Sequence, residues 1–374
     1  MFERRLVKPD GRDLFLYARD ARGPIPELPA PAPRGPEGAP RSHLRWHPLR
    51  GEWVAYASHR QNRTFLPPKE YNPLAPSSSE DTPTELPEGP YDVAVFENLY
   101  PTLSREPGEP PHDLELPVAP ARGQCEVVVF TQDPTTSLGA LPLDHIELIL
   151  QVWGRRTAEL GARSDIQYVM PFENKGVEVG VTLHHPHGQI YAYSFLPPLP
   201  ERELSRQRAY FEGSGRSLLR SMIEGEIEDG RRLLYEGPEA VAFVPECARY
   251  SYEVWVVPRA RVGRVDELSA PQRADLARAL KTVLRKYDML WQRPFPYLLV
   301  LHQAPTDGGE HPYAHLHLEF SPPYRSRDRL KFLAGTELGA GMFASDSLPE
   351  EKAAELRALP VDLDLDVAPG AAAA

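Results

Sequence analysis

The stretch VTLHHPHGQIYAYSF, from Val181 to Phe195, places three histidines within four positions around Pro186. Imidazoles so spaced suit metal ligation, nucleophilic catalysis with helpers, or a chance run at a strand edge. In an extended chain alternate side chains share a face, so His185, His187 and Gln189 are expected to point together, away from His184. Pro186 lacks a ladder donor and predicts an edge or bulge position. Gly188 permits close approach of backbone or ligand. A neutral imidazole is a competent nucleophile near pH 7, and on phosphorus it forms a P–N bond reactive enough to pass the group onward. Gln189 can hydrogen-bond a phosphate oxygen without adding charge. Upstream, PFENKGVEVGV supplies Asn174, Lys175, Gly176 and Gly180 in a polar, flexible loop.

A second cluster reads HPYAHLHLEFSPP. His315, His317 and Glu319 alternate, and His302 ends the preceding apolar run. Imidazoles with a carboxylate suit zinc or iron, the alternative being a solvated polar face. Arg60 and Arg63, in SHRQNRTF, could fork onto phosphate. Neither a GxxxxGK[ST] loop nor a GxGxxG turn occurs, which excludes the P-loop and the dinucleotide fingerprint.

The elements that must hold these residues show in the runs EWVAYAS, YDVAVF, CEVVVFT, IQYVMPF, QIYAYSF, AVAFV, YEVWVV, YLLVLH and HLHLEF, rich in β-branched and aromatic residues. Two helices are expected. Asp144 and Glu147 read as a capping box before the stripe Ile146, Ile149, Leu150 and Trp153; Ser269 and Gln272 read as another before Leu276, Leu280, Val283, Tyr287 and Leu290. An apolar strand, a capped helix, a strand and a His-rich strand then recur in the same order. This predicts a duplicated α+β unit with a mainly antiparallel sheet and helices packed on it. The expected divisions are an N-terminal, partly Pro-rich arm at 1–43, a first repeat at 44–200, a second at 201–345, and a C-terminal segment with a flexible tail at 346–374. Gly23 to Pro40 reads as an extended arm, and Asn72 to Pro90 as a long loop.

The 374 residues suffice for one large or two medium domains, with 41% hydrophobic and 25% charged residues. A net charge of −11 argues against a general nucleic-acid or membrane-surface binder. Cys125 and Cys247 alone give no disulfide framework, so a reducing compartment is expected. No run reaches membrane-span length and MFERRLVKPDGR lacks a signal-peptide core, so the expected location is cytoplasmic.

FENKGVEVGVTLHHPHGQIYAYSFLPP resembles the galactose-1-phosphate uridylyltransferase family, duplicated members of the histidine-triad superfamily. The likeness runs from RWHPLRGEWVAYASHRQNR to LKFLAGTELGAG. It implies uridylyl transfer between UDP-glucose and galactose 1-phosphate, ping-pong through a uridylyl-histidine. By resemblance His187 is the nucleophile, with His185 beside it. Gln189 contacts the transferred phosphate, Arg60 and Arg63 hold phosphates, and Asn98 lies near the uridine. Asn174 and Thr182, a threonine where serine is common, line the phosphate and sugar site. Lys331 and Phe332 match a pair that reaches across a homodimer interface.

The family's first zinc site is expected to be empty here, because Asn72, Ala75 and Pro134 stand where ligands would be and only His185 remains. The second site is expected at Glu203, His302, His317 and Glu319, holding zinc or iron, with His315 as a substitute ligand. The partners implied are a UDP-hexose, a hexose 1-phosphate and a second copy of the chain. Alternatives are a nucleotide-sugar phosphorylase or adenylyltransferase on the same scaffold, and a non-catalytic nucleotide sensor.

Overall fold

The computed structural model describes residues 1–20, 25–26, 42–62, 67, 71–77 and 83–363. The expected tail at 368–374 and nearly all of the expected arm at 23–40 lie outside the described residues. The strands of the first half are β1 (Phe2–Val7), β2 (Asp13–Ala18), β3 (His43–His47), β4 (Glu52–Tyr56), β5 (Val93–Glu97), β6 (Val118–Pro120), β7 (Gly123–Val129), β8 (Tyr168–Lys175) and β9 (His187–Tyr193). Those of the second half are β10 (Leu233–Glu236), β11 (Ala240–Phe243), β12 (Val254–Pro258), β13 (Tyr297–His302) and β14 (His317–Ser321), with β15 (Tyr324–Ser326) and β16 (Arg329–Leu330) paired apart from the larger sheets. The helices are α1 (Leu143–Gly161), α2 (Pro198–Ser214), α3 (Leu218–Asp229), α4 (Ala270–Leu290) and α5 (Pro349–Arg357).

Eleven strands form one sheet in the order β1-β2-β5-β7-β9-β8-β13-β14-β12-β11-β10, and β4-β3-β6 form a small second sheet. The pairings in the large sheet are antiparallel. From β2 to β10 the order has a mirror logic. The run β5-β7-β9-β8 meets β13-β14-β12-β11, with the two repeats joined where β8 pairs β13. This is the duplicated, mainly antiparallel α+β architecture the sequence predicts.

The alternation in β9 explains its burial. Gly188, Ile190 and Ala192 are buried, and His187, Gln189, Tyr191 and Tyr193 are half-buried. Ile190 and Ala192 join one core with the apolar stripes of α1 and α4, so these helices lie on the face opposite His187 and Gln189. On the other face α2 brings Leu204 against Ala304 and Tyr313, and α3 brings Ile223 against Val241 and Phe243.

Three expectations change. Helix α1 begins after Pro142 with no side-chain cap, and Asp144 lies inside its first turn. The Asp144 carboxylate instead pairs with Arg19 at 2.8 Å, a tertiary ion pair displacing a local cap. The Ser269–Gln272 box of α4 does form. Pro186 precedes a central strand rather than an edge; its carbonyl accepts from the Phe130 amide at 3.1 Å. Finally, the start of the expected N-terminal arm is a β1–β2 hairpin that extends the main sheet beside β5. The KPDGRD turn encodes it: Gly11 sits at φ 87° and the Lys8 amide bonds Arg12 oxygen at 2.8 Å. Leu14 and Leu16 of β2 then bury with Leu74 and Leu86 of the 72–90 loop, so that loop is anchored at both ends.

Candidate active site and metal-binding cluster

Strand β9 lies between β7 and β8, with Val129 opposite His187 and Phe172 opposite Gln189. Gly188 holds the strand close: a Cβ there would lie 2.8 Å from the Phe130 ring and from the Phe172 carbonyl oxygen. The His187 Nδ1 is 2.7 Å from the His185 carbonyl oxygen. A carbonyl only accepts, so the proton sits on Nδ1 and the Nε2 lone pair is free. Burial lowers the His187 pKa from 6.5, partly opposed by that hydrogen bond, so the ring is neutral at pH 7. An oriented neutral imidazole with an unprotonated Nε2 meets the requirement for a nucleophile.

Two cavities flank it. One, of about 200 Å³, is lined by Arg60, Asn174, Thr182, His187, Gln189 and Tyr191 among others. Arg60 is steadied by Thr102 Oγ1 at 2.6 Å, the Tyr100 carbonyl at 3.1 Å and the Tyr191 hydroxyl at 3.2 Å. The Asn98 amide lies 3.5 Å from Gln189 Oε1. The other cavity, about 260 Å³, shares His187 and Asn174 and adds Glu173, Lys175, His184, Ser137 and Asp288. The structure therefore brings Arg60, Asn98, Asn174, Thr182, His187 and Gln189 together. Arg63 lies outside the described residues. Lys331 bonds Glu337 at 3.3 Å and Phe332 is 76% exposed; neither lines either cavity. The sequence reading missed Phe172, Tyr191 and Tyr193, although the alternation that selects His187 and Gln189 also selects the two tyrosines.

His185 does not share the face of His187, because the strand begins only at His187. Its ring is buried, with Nε2 2.6 Å from the Thr131 carbonyl oxygen and Nδ1 2.9 Å from the Asn72 amide nitrogen. Nε2 therefore carries the proton and Nδ1 accepts. Both ring nitrogens are taken, and what His185 presents to His187 is its backbone carbonyl.

The second repeat copies this geometry. His317 Nδ1 lies 3.1 Å from the His315 carbonyl oxygen, and His315 Nε2 lies 2.9 Å from the Pro258 carbonyl oxygen. His315 Nδ1 lies 3.1 Å from Ser217 Oγ. With both nitrogens engaged His315 is no substitute ligand, and its strand also starts two residues later than expected, at His317. Burial brings its pKa down to about 4.

Glu203 from α2 meets His302 and His317, each offering an atom within 4.8 Å of the others, and this group could hold a metal ion. Among the described residues no other such group occurs. His302 Nδ1 lies 2.7 Å from Glu203 Oε2 but off the line of a hydrogen bond, leaving a buried nitrogen without a hydrogen-bond partner. An orphaned imidazole nitrogen beside a carboxylate is a donor set suited to a borderline cation. Glu319 stands 3.7 Å from His302 Nε2 and 3.6 Å from His317 Nε2, but it also pairs with Arg249 at 2.9 Å. Burial opposes its charge, yet His317, His302 and Arg249 together hold its carboxyl at about 2.

Two family profiles match the chain: "Galactose-1-phosphate uridyl transferase, N-terminal domain" over residues 37–197, and the corresponding "C-terminal domain" over 203–367. The galactose-1-phosphate uridylyltransferase of Thermotoga maritima is 38% identical over 325 residues, 86% of this chain and 99% of that protein. A solved uridylyltransferase structure superposes with TM-score 0.76 at 34% identity, covering 84% of this chain and 97% of its own. An ADP-glucose phosphorylase from Arabidopsis thaliana, solved with bound ADP-glucose, superposes with TM-score 0.63 at 24% identity over 86% of this chain and 100% of that one, a likeness of fold alone.

Proposed function

Because this chain belongs to the galactose-1-phosphate uridylyltransferase family, we propose that it transfers a uridylyl group between UDP-glucose and galactose 1-phosphate at His187. The observation that carries the reading is the His187 tautomer, fixed by the His185 carbonyl at 2.7 Å. Nε2 attacks the uridylyl phosphorus; a P–N bond forms as the P–O bond breaks, and glucose 1-phosphate leaves with the bridging oxygen. A phosphate oxygen of galactose 1-phosphate then attacks, the P–N bond breaks, and UDP-galactose departs. The positive charge developing on the ring is spread toward the His185 carbonyl through Nδ1–H.

Gln189 bonds a phosphate oxygen through its amide, and Arg60 neutralises phosphate charge. Asn174 and Thr182 line the phosphate and sugar path, and Asn98 supports Gln189 near the uridine. Arg63 is assigned to the phosphates by family resemblance alone. Lys331 and the exposed Phe332 reach the cleft of a second copy in a homodimer. The chemistry then belongs to the first repeat, 44–200, and the metal to the second, 201–345.

Glu203, His302 and His317 would hold zinc or iron, with Glu319 closing the set. A bound ion would supply a cross-link between α2 and the sheet. In the family's first zinc position the Asn72–His185 hydrogen bond takes the place of a metal link. The test is intact-mass spectrometry after mixing with UDP-glucose and, separately, with ADP-glucose. An acid-labile uridylyl adduct on His187 is expected; an adenylyl adduct alone would transfer the reading to an adenylyl-sugar enzyme, and no adduct from either would defeat covalent transfer.

A further inference from the structure

Glu173, Asn174 and Lys175 are consecutive on β8, and only the middle one faces the cleft floored by Gln189. Strand alternation turns Glu173 and Lys175 to the helix face. There each meets the second repeat. The Tyr297 hydroxyl, on β13, donates to Glu173 Oε2 at 2.9 Å. Lys175 Nζ lies 3.1 Å from Asp288 Oδ1 near the end of α4, and 5.3 Å from the Tyr297 ring. Asp288 Oδ1 also accepts the Phe295 amide at 3.3 Å. The β8–β13 ladder sets Leu298 opposite Asn174 and Tyr297 opposite Lys175. Beyond Lys175 the chain turns at Gly176, φ 102°, where a Cβ would strike Pro296 at 2.5 Å. Both neighbours of Asn174, and the turn after it, are thus held from the other repeat.

Glu173 is 3% exposed, Asp288 2% and Tyr297 0%. A buried ion pair contributes little net stability, because desolvation offsets attraction. What such a pair does fix is geometry. We propose that Tyr297 on Glu173 and Asp288 on Lys175 form a clamp by which the second repeat positions Asn174 for uridylyl transfer at His187. The four are positioning residues that act through Asn174, and the idea rests on the assignment of Asn174 to the phosphate and sugar path.

The test is a double-mutant cycle on the full chain, read as the single-turnover rate of uridylyl adduct formation from UDP-glucose. Tyr297→Phe should slow that rate about ten-fold, the worth of one hydrogen bond to a buried acid. In an Asn174→Ala background the same change should cost less than about two-fold, because the two act through one contact. Glu173→Gln keeps the acceptor and should stay near wild type, whereas Glu173→Leu should match Tyr297→Phe. A parallel measurement needs no activity: amide hydrogen exchange over residues 174–180 should quicken in Tyr297→Phe while exchange in α1 stays unchanged. Equal fold losses in both backgrounds, or unchanged exchange over 174–180, overturns the clamp. If the wild type forms no uridylyl adduct, the functional reading fails instead, and the exchange measurement alone decides the clamp.

Discussion

His187 and His317 occupy matching positions in the two repeats, each with Nδ1 on the carbonyl of the residue two places back. The residue two places on separates them. Gln189 is a neutral amide that forms no ion pair with the histidine before it; Glu319 is an anion that gathers His302, His317 and Arg249. His187→Ala should abolish the uridylyl adduct and turnover while leaving circular dichroism unchanged, since positioning alone cannot replace a lost nucleophile; near-normal turnover in the variant would remove His187 from the mechanism. Gln189→Ala should slow both half-reactions, by roughly 2–4 kcal/mol of transition-state stabilisation if it acts like an oxyanion donor. Single-turnover rates with UDP-glucose and with galactose 1-phosphate check this, and a defect in only one direction contradicts the shared contact. Glu173 gives a pH prediction. Burial, with a smaller push from Asp288, raises its carboxyl from 4.5 to about 7 against the pull of Lys175 and the Tyr297 hydroxyl. The folded chain therefore holds a proton that the unfolded chain releases. The resulting stability is fully present below 4.5 and is lost as pH rises through about 7, roughly 3 kcal/mol in all. Urea unfolding of Glu173→Gln should lack this decline, and a parallel pH dependence in variant and wild type would refute it.

Strand β9 is pinched between neighbours at the one residue without a side chain. Gly188 leaves no room for a methyl group between Phe130 and the Phe172 carbonyl. Gly188→Ala should lower stability by about 1–3 kcal/mol, an overpacking cost, and should also lower the adduct rate, because the displaced neighbours carry His187's strand. Thermal unfolding and adduct formation measured on one preparation check both. A variant as stable and as fast as wild type would mean that the sheet yields freely there. Ser269 and Gln272 close the α4 box unopposed, whereas Asp144 is drawn to Arg19, so a helix start legible in sequence differs from its actual cap.

Across the whole molecule the two repeats share one sheet, and each contributes what the other lacks. The first offers His187, the proposed nucleophile, and most of the lining of the cavities beside it; the second offers Tyr297 and Asp288 at the seam, and the histidines that meet Glu203 of α2. A metal bound only by the folded chain adds stability by linkage. A strong chelator is therefore expected to lower the melting temperature more than initial turnover, and Glu203→Ala should reproduce the fall and leave the chelator little further effect. Immediate loss of activity without a change in melting would make the ion part of the reaction.

The histidine-bearing strand β9, the helices α1 and α4 and the duplication were legible in the sequence, because period-2 and period-3.6 patterns follow from local backbone geometry. The cluster of imidazoles beside Gly188 and Gln189 was legible too, but residue type alone left metal ligation and nucleophilic catalysis both open, and only the family resemblance singled out His187. The hairpin at Phe2–Ala18 is encoded in its turn residues, but it is short and followed by Pro-rich chain, which gives the whole segment the sequence character of an arm. Other features depended on residues far apart in the chain. The orientation of His185 is set by Asn72 and Thr131, the engagement of Glu319 by Arg249, and the fate of Asp144 by Arg19. The two sides of Asn174 were equally silent: Glu173 and Lys175 stand in an evident motif, but their partners lie more than a hundred residues away, on β13 and α4. Sequence spacing carries which groups share a face; only tertiary packing determines which partner a buried polar atom finds, because desolvation favours whatever partner the fold brings within reach.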